Sequence, residues 1–118
     1  MSTFDEDKQL HSYNDLPAFI SAYGSKYWLQ HGSYHRDNDQ PAVISANGSK
    51  YWYQHGKLHR DNDLPAIISA DGAKLWYQHG ELRRDNDQPA IIYSDGKIEY
   101  WIHGKKIFLL TNWIAEGF

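Results

Sequence analysis

The sequence predicts an all-β fold in which tandem 24-residue repeats form an elongated, twisted antiparallel array of β-hairpins. Three observations predict it. Prolines and His-Gly pairs both recur every 24 residues, Asn-Gly or Asp-Gly pairs recur between them, and no 3.6-residue apolar period is sustained in the units. A parallel β-solenoid is the alternative, but tight two-residue turns argue against it because parallel strands need longer crossover connections.

The repeats define the domain organisation. With 118 residues the chain has the length of a single domain. A polar N-terminal tail (1–9) precedes a repeat domain (10–104), which opens with a worn half-repeat (10–16) and continues in units that begin at Pro17, Pro41, Pro65 and Pro89. The apolar C-terminal segment (105–118) is predicted to cap the last repeat, since a repeat array needs protected ends.

Two glycine turns are predicted in each unit. Pairs such as Asn47-Gly48 and Asp71-Gly72 predict two-residue hairpin turns of type I′, which require positive φ at both central residues. A His-Gly pair follows seven residues later and predicts a second turn. The segment "DNDLP" then breaks regularity, because Asp and Asn form local side-chain turns and Pro opens the next strand.

Strand alternation assigns the faces of the aromatic segment "SKYWYQ". Tyr51 and Tyr53 lie on one face, and Trp52 and Gln54 lie on the other. Across the repeats this predicts two columns, an aromatic one and an aliphatic one. We expect the aromatic column to be a buried core ladder, with an exposed binding platform as the alternative. The columns are Trp28, Trp52, Trp76 and Tyr100, and Ile20, Ile44, Ile68 and Ile92.

Composition restricts the functional classes. The net charge of -3 and a pI near 6.1 give no overall attraction to nucleic acid or anionic membranes. Cysteine is absent, which removes thiolate metal sites and thiol nucleophiles and suits a reducing compartment. No segment resembles a signal peptide or a membrane span, so we expect a soluble, cytoplasmic protein.

The unit "DGAKLWYQHGELRRDNDQPAII" (71–92) resembles a variant of the membrane occupation and recognition nexus (MORN) repeat. The matching parts are the aromatic pair before a glycine turn, as in Trp52-Tyr53 and Gly56, and the His-containing segment after it, as in Leu58-His59. Such repeats occur in bacterial, phage and large DNA-virus proteins. The resemblance covers roughly residues 10–104. It implies a string of β-hairpins and a lipid or protein partner, and for a viral member a location in the host cytoplasm.

The recurrent segment "HRDNDLPAII" (59–68) admits several interpretations. A kinase catalytic loop is rejected, because no glycine-rich phosphate loop or Asp-Phe-Gly accompanies it. A calcium loop lacks the required spacing and terminal Glu. A zinc site is not expected, because equivalent histidines lie two strand spacings apart, roughly 9–10 Å, unless the two histidine columns converge. We therefore predict no metal and no cofactor.

Two interpretations of this segment remain. In the structural one, each arginine of the motif pairs with an Asp of the same or the adjacent repeat and fixes the register of the array. In the other, the motif is a ligand surface, in which cationic side chains beside aromatic faces stack a base and clamp a phosphate. Its candidate binding residues are His35, Arg36, His59, Arg60, Arg83, Arg84, Trp28, Trp52 and Trp76.

No Ser, His and acidic set stands apart from the repeat pattern, so the sequence predicts a protein that is not an enzyme. We expect a repeat scaffold that mediates protein-protein, or lipid-associated, interaction. One alternative is a protein that binds or sequesters a nucleotide or nucleic acid. The other is a structural protein that forms homo-oligomers through its open sheet edges.

Overall fold

The computed structural model describes residues 2–108 and confirms an all-β architecture. These residues contain fifteen short strands, and the molecule extends over 62 × 25 × 20 Å. The strands are β1 (Phe19–Ile20), β2 (Lys26–Tyr27), β3 (Leu29–Gln30), β4 (Ser33–Tyr34), β5 (Val43–Ile44), β6 (Lys50–Tyr51), β7 (Tyr53–Gln54), β8 (Lys57–Leu58), β9 (Ile67–Ile68), β10 (Lys74–Leu75), β11 (Tyr77–Gln78), β12 (Glu81–Leu82), β13 (Ile91–Ile92), β14 (Ile98–Ile102) and β15 (Lys105–Ile107).

Every repeat contributes two hairpins. The first hairpins join one open nine-stranded sheet with the order β1-β2-β5-β6-β9-β10-β13-β14-β15. The second hairpins, β3-β4, β7-β8 and β11-β12, each pair separately. All of these strand pairs are antiparallel, so the hairpin array is confirmed and the parallel solenoid is excluded.

The predicted type I′ geometry is wrong for the Asn-Gly and Asp-Gly turns. At the β5-β6 turn only Gly48 has a positive φ, +94°, and its N–H donates to the carbonyl of Ser45 at 2.9 Å. The hairpin register explains the difference, because the Ser45 N–H donates to the Ser49 carbonyl at 2.9 Å and leaves a three-residue loop, which takes a type I turn followed by a left-handed Gly. The type I′ pattern falls instead on the His-Gly pairs, where His55 and Gly56 have φ of 51° and 81°.

The core is a thin row of indoles and alanines between the hairpins. Trp28, Trp52 and Trp76 are 5–7% exposed, which confirms the expected buried ladder for these members of the column. Four alanines, one at the start of each unit, have no exposed surface, and the Trp52 N–H donates to the carbonyl of one of them, Ala66, at 2.7 Å. Tyr100 is half-buried.

The two ends of the array differ. The predicted N-terminal tail folds back on itself and onto the first repeat, where Phe4 bridges Leu10 and the Thr3 N–H donates to the Ala18 carbonyl at 2.9 Å. Residues 2–11 therefore line the edge strand β1. At the other end β15 pairs with β14. Residues 109–118 of the predicted C-terminal cap lie outside the described residues. Residues 2–108 include no helix long and apolar enough to cross a membrane.

Candidate functional site

Arg60 of the recurrent motif makes a cation-π contact and three hydrogen bonds within the chain. Its guanidinium carbon lies 3.8 Å from the centroid of the Trp52 ring. Its Nε and Nη2 donate to the two carboxylate oxygens of Asp39 at 2.9 and 3.2 Å, and Nη1 donates to the carbonyl of Pro65 at 3.1 Å. Three of the five guanidinium N–H groups are therefore used within the chain, and the flat face of the guanidinium lies against Trp52.

The same contact recurs in the neighbouring repeats. Arg36 lies 3.8 Å from the Trp28 ring and pairs with Asp15 at 2.9 Å. Arg84 lies 3.8 Å from the Trp76 ring and pairs with Asp63 at 2.9 Å. The arginine hydrogen bonds hold the pKa of Asp15 and of Asp63 below the usual aspartate value. In all three cases the Asp belongs to the preceding repeat. The sequence had left open whether each arginine pairs with an Asp of its own repeat or of the adjacent one.

The Asn-Asp pair of the motif supplies the bend that makes this contact. Asn62 and Asp63 both adopt left-handed conformations, with φ of 63° and 56°. This geometry turns the Asp63 carbonyl toward Trp76 of the next repeat, whose Nε1–H donates to it at 3.0 Å. Asp63 thus contacts the next repeat at two points: its carbonyl accepts from the Trp76 indole and its carboxylate accepts from Arg84.

The histidines of the motif are buried and also fully engaged. His59 is 9% exposed, its Nε2 lies 2.7 Å from Asp61 Oδ1, and its Nδ1 accepts the His79 N–H at 3.1 Å. His35, 6% exposed, makes the equivalent contacts with Asp37 and His55. Each Nδ1 accepts a backbone N–H, so the ring proton resides on Nε2.

The two histidine columns converge. The ring centroids of His11 and His31, of His35 and His55, and of His59 and His79 are 4.5–4.6 Å apart. Within one column the sequence-based separation of roughly 9–10 Å excludes a shared metal, but this argument does not apply between columns. Among residues 2–108, only Asp5, His11 and His31 bring three metal-ligating side chains together, with all ligand atoms within 4.8 Å.

Arg83 differs from the other predicted binding residues. It stands where the two preceding units have His35 and His59, pairs with Asp85 at 2.9 Å, and its side chain is 33% exposed. It borders a cavity of about 570 Å³ in the last unit, where Tyr100 replaces the Trp of the column and Phe108 stands in place of the next Arg. The lining includes Arg84, Asp87, Tyr100, Trp101 and Ile107.

Sequence reasoning missed an exposed row of alternating Ile and Lys across the nine-stranded sheet. Lys50 pairs with Ile44 on one side and with Ile68 on the other, and Lys26 and Lys74 repeat this arrangement. The signal was available, because a Lys recurs every 24 residues, two positions before Trp28, Trp52 and Trp76. We call this surface the Ile-Lys row; it comprises Ile20, Lys26, Ile44, Lys50, Ile68, Lys74, Ile92 and Ile98.

The charges of the Ile-Lys row are not balanced locally. Lys26, Lys50 and Lys74 are exposed, and no carboxylate oxygen of residues 2–108 lies within 4.0 Å of their amines. Successive lysines are two strand spacings apart, roughly 9–10 Å. A chain with a net charge of -3 therefore presents one regular line of positive charge.

Half-buried tyrosines continue from the nine-stranded sheet into the second hairpins, with Tyr27 in β2, Tyr34 in β4 and Tyr53 in β7. The rings of Tyr27 and Tyr34 are 5.9 Å apart, and those of Tyr34 and Tyr53 are 5.1 Å apart. Burial raises the pKa of the Tyr53 and Tyr77 hydroxyls, so they stay protonated at neutral pH. These tyrosines contribute packing and neutral hydrogen-bond donors rather than charge.

No family model, curated protein or solved structure matches the chain. The fold and the surfaces described above are therefore the basis for assigning a function.

Proposed function

We propose that the chain is a non-catalytic, MORN-like repeat scaffold that binds an acidic segment of a partner protein along the Ile-Lys row. The observation that carries the proposal is the set of three exposed lysines, evenly spaced and without a carboxylate partner among residues 2–108. The arginines cannot take this role, because Trp and Asp side chains already engage them.

The spacing of the row defines the ligand. A peptide in the polyproline II conformation has three residues per turn and rises about 3.1 Å per residue, so carboxylates at every third residue lie on one side, roughly 9 Å apart, and match successive lysines. The isoleucines between the lysines are half-buried or exposed and offer apolar contacts on the neighbouring strands, one strand spacing of about 5 Å from each lysine. An acidic peptide with apolar residues between its carboxylates complements both features.

A protein segment fits the row better than a membrane. The row is one line of three amines, whereas attraction to an anionic bilayer grows with each basic residue at the surface, by about 1 kcal/mol per residue. Three amines alone therefore give weak lipid binding, while a peptide in register with the row also gains the apolar contacts.

The test is a binding titration with a labelled synthetic peptide that carries glutamate at every third position and valine between. A peptide of the same composition with its glutamates clustered at one end is the register control. The variant protein replaces Lys26, Lys50 and Lys74 by Gln. Its matched control replaces three other exposed lysines, Lys8, Lys57 and Lys105, by Gln, so that the net charge changes equally.

We expect the row variant to lose about tenfold or more in affinity, since three exposed pairs contribute roughly 0.5 kcal/mol each. The matched control should change less than about twofold. An equal loss of affinity in the two variants, or equal affinity for the clustered peptide, would show that binding does not depend on the spacing of the lysines in the row. Binding only to phosphatidylserine vesicles would assign the surface to lipid instead.

Nucleotide binding is the second candidate, and one observation favours it. In the last unit an arginine, Arg83, borders a cavity of about 570 Å³ together with Tyr100 and Trp101. Nucleotides and cyclic oligonucleotides should then raise the melting temperature of the wild-type protein but not of Arg83→Ala. If neither protein responds, the cavity is not a nucleotide site.

A further inference from the structure

We propose that Asp5, His11 and His31 form a binding site for a divalent transition metal, with Zn²⁺ the best match, that fastens the N-terminal segment to the first repeat. The proposal is independent of the Ile-Lys row. It rests on the convergence of the two histidine columns and on the position of an aspartate that the repeats do not contain.

The three side chains are close enough to share one ion. Asp5 Oδ2 lies 2.6 Å from His31 Nδ1, the His11 and His31 ring centroids are 4.5 Å apart, and all three ligand atoms lie within 4.8 Å of one another. Zinc bonds of about 2.0–2.1 Å place tetrahedral ligand atoms roughly 3.4 Å apart. The 2.6 Å separation of Asp5 and His31 must therefore widen and any longer separation must shorten, and His31 is exposed and can rotate to allow this.

The Asp5 carboxylate is held ready as a ligand. Its Oδ1 accepts the N–H groups of Asp7 and Gln9, both at 2.9 Å, which leaves Oδ2 for His31 or for a metal. The side chain is 6% exposed, and the Gln9 and His31 hydrogen bonds lower its pKa below the usual value. Asp5 is therefore fixed in position and ionised at neutral pH.

This cluster differs from the equivalent histidine pairs further along the chain. His35 and His59 direct Nε2 to an aspartate two positions later, Asp37 or Asp61. The residue two positions after His11 is Tyr13, so that contact is lost and Asp5 approaches the pair from the side of His31. The inner pairs are closed by the hydrogen bond from His35 or His59 to aspartate, whereas the first pair meets a carboxylate carried by the N-terminal segment.

Metal binding carries one cost. His11 Nδ1 accepts the His31 N–H at 3.0 Å. Ligation through Nδ1 displaces this hydrogen bond, and ligation through Nε2 moves the ring proton to Nδ1 and also removes it. The loss of one hydrogen bond lowers affinity by about tenfold. Two histidines and a carboxylate are a donor set that zinc accepts, with water in the fourth position.

The position of the cluster gives the metal a structural role. Asp5 lies in the N-terminal segment that pairs along β1, and His31 lies in the turn between β3 and β4. A metal bridging these two elements ties residues 2–11 to the first repeat and keeps the edge strand covered. Binding should therefore raise the melting temperature as well as release heat.

The test uses the full chain, stripped of metal and titrated with ZnCl₂ by calorimetry and by thermal unfolding. The variants are His11→Gln, His31→Gln and Asp5→Asn. The matched control is His79→Gln, which removes the equivalent turn histidine from the pair with His59. His31 is exposed, so His31→Gln should fold even if His11→Gln does not.

We expect one zinc per chain and a rise in melting temperature of roughly 5 °C at saturation in the wild type and in His79→Gln. The three cluster variants should bind at least tenfold more weakly. Absence of binding to the wild type overturns the proposal, and so does an equal loss in His79→Gln, which would indicate binding by histidine pairs in general.

Discussion

The Arg60 guanidinium donates two hydrogen bonds to the Asp39 carboxylate, 21 positions earlier in the chain, while its carbon lies 3.8 Å above the Trp52 ring. The contact joins a cation, an anion and an indole from two successive repeats. Because the same contact recurs around Arg36 and Arg84, it fixes the register between units wherever a complete motif is present.

Removal of the Arg60 side chain should destabilise the array. We expect Arg60→Ala to lower the free energy of unfolding by about 2 kcal/mol, because the cation-π contact and the hydrogen bonds to Asp39 are lost and Trp52 is uncovered. Arg60→Lys should lose about half as much, since an ammonium cannot pair bidentately. Urea denaturation measures both.

Arg83→Ala is the matched control for this experiment. Arg83 is more exposed, and among residues 2–108 its side chain makes one hydrogen bond, to Asp85, so its loss should cost less than about 0.5 kcal/mol. Equal losses at the two arginines would contradict the assigned role of Arg60.

Acid should weaken the fold in a defined direction. The pKa of Asp15 and of Asp63 is lower in the folded chain than in the unfolded chain, where it is about 4. The stability from these carboxylates is therefore complete above about pH 4 and is lost as the pH falls through their lower folded values. Both are largely exposed, so the contribution of each is small.

Thermal unfolding between neutral and strongly acidic pH measures this dependence. Arg84→Gln removes the cause of the shift at Asp63 and should flatten part of the acid loss. A melting temperature that rises on acidification would contradict the prediction.

Arg83→His should restore the histidine column in the last complete motif. The other pairs are separated by 20 positions, and 20 positions after Arg83 stands His103. The new ring supplies an acceptor for the His103 N–H and should stabilise the fold by about 0.5–1 kcal/mol. Thermal unfolding measures the gain, and the melting temperature of Arg83→His can be compared with that of Arg83→Phe, which adds a ring without a hydrogen-bond acceptor. An equal gain in both variants would assign the effect to packing alone.

The turn at Gly48 can be tested by a pair of substitutions. An added Cβ at Gly48 meets no atom within 4 Å, so Gly48→Ala should cost about 1 kcal/mol through backbone strain at φ +94° alone. Asn47→Gly removes the side-chain oxygen that holds the Ser49 N–H and should cost a similar amount. If Asn47→Gly is neutral or stabilising in urea denaturation, the turn is of type I′ in solution.

The fold was predictable because each repeat carries its own turn residues and its own aromatic segment. Trp52 alternates with Tyr51 and Tyr53, and this local pattern already predicts its burial. The turn type was not predictable from Asn47-Gly48 alone, because the pairing of Ser45 with Ser49 leaves three residues in the loop and so decides its conformation.

The contacts between repeats were harder to predict than those within one. A single unit contains both Asp61 and Asp63 beside Arg60, so the sequence could not show that the partner is Asp39 of the preceding unit. Similarly, the meeting of His11 with His31 depends on how the second hairpin folds against the motif. The Ile-Lys row required only a closer inspection of the recurring lysines.

Each arginine of the motif contacts an aspartate of the preceding repeat, so successive repeats are stacked in one direction and at a regular spacing. Each additional unit would extend the sheet by two strands, roughly 9–10 Å, and would add one lysine to the Ile-Lys row. Asp87 is the last aspartate of this series. Phe108 occupies the position at which the next arginine would pair with it, so the series of Arg-Asp contacts ends there. Because each unit repeats the same contacts, duplicating one unit would lengthen the molecule and add one lysine to the Ile-Lys row without changing an existing contact.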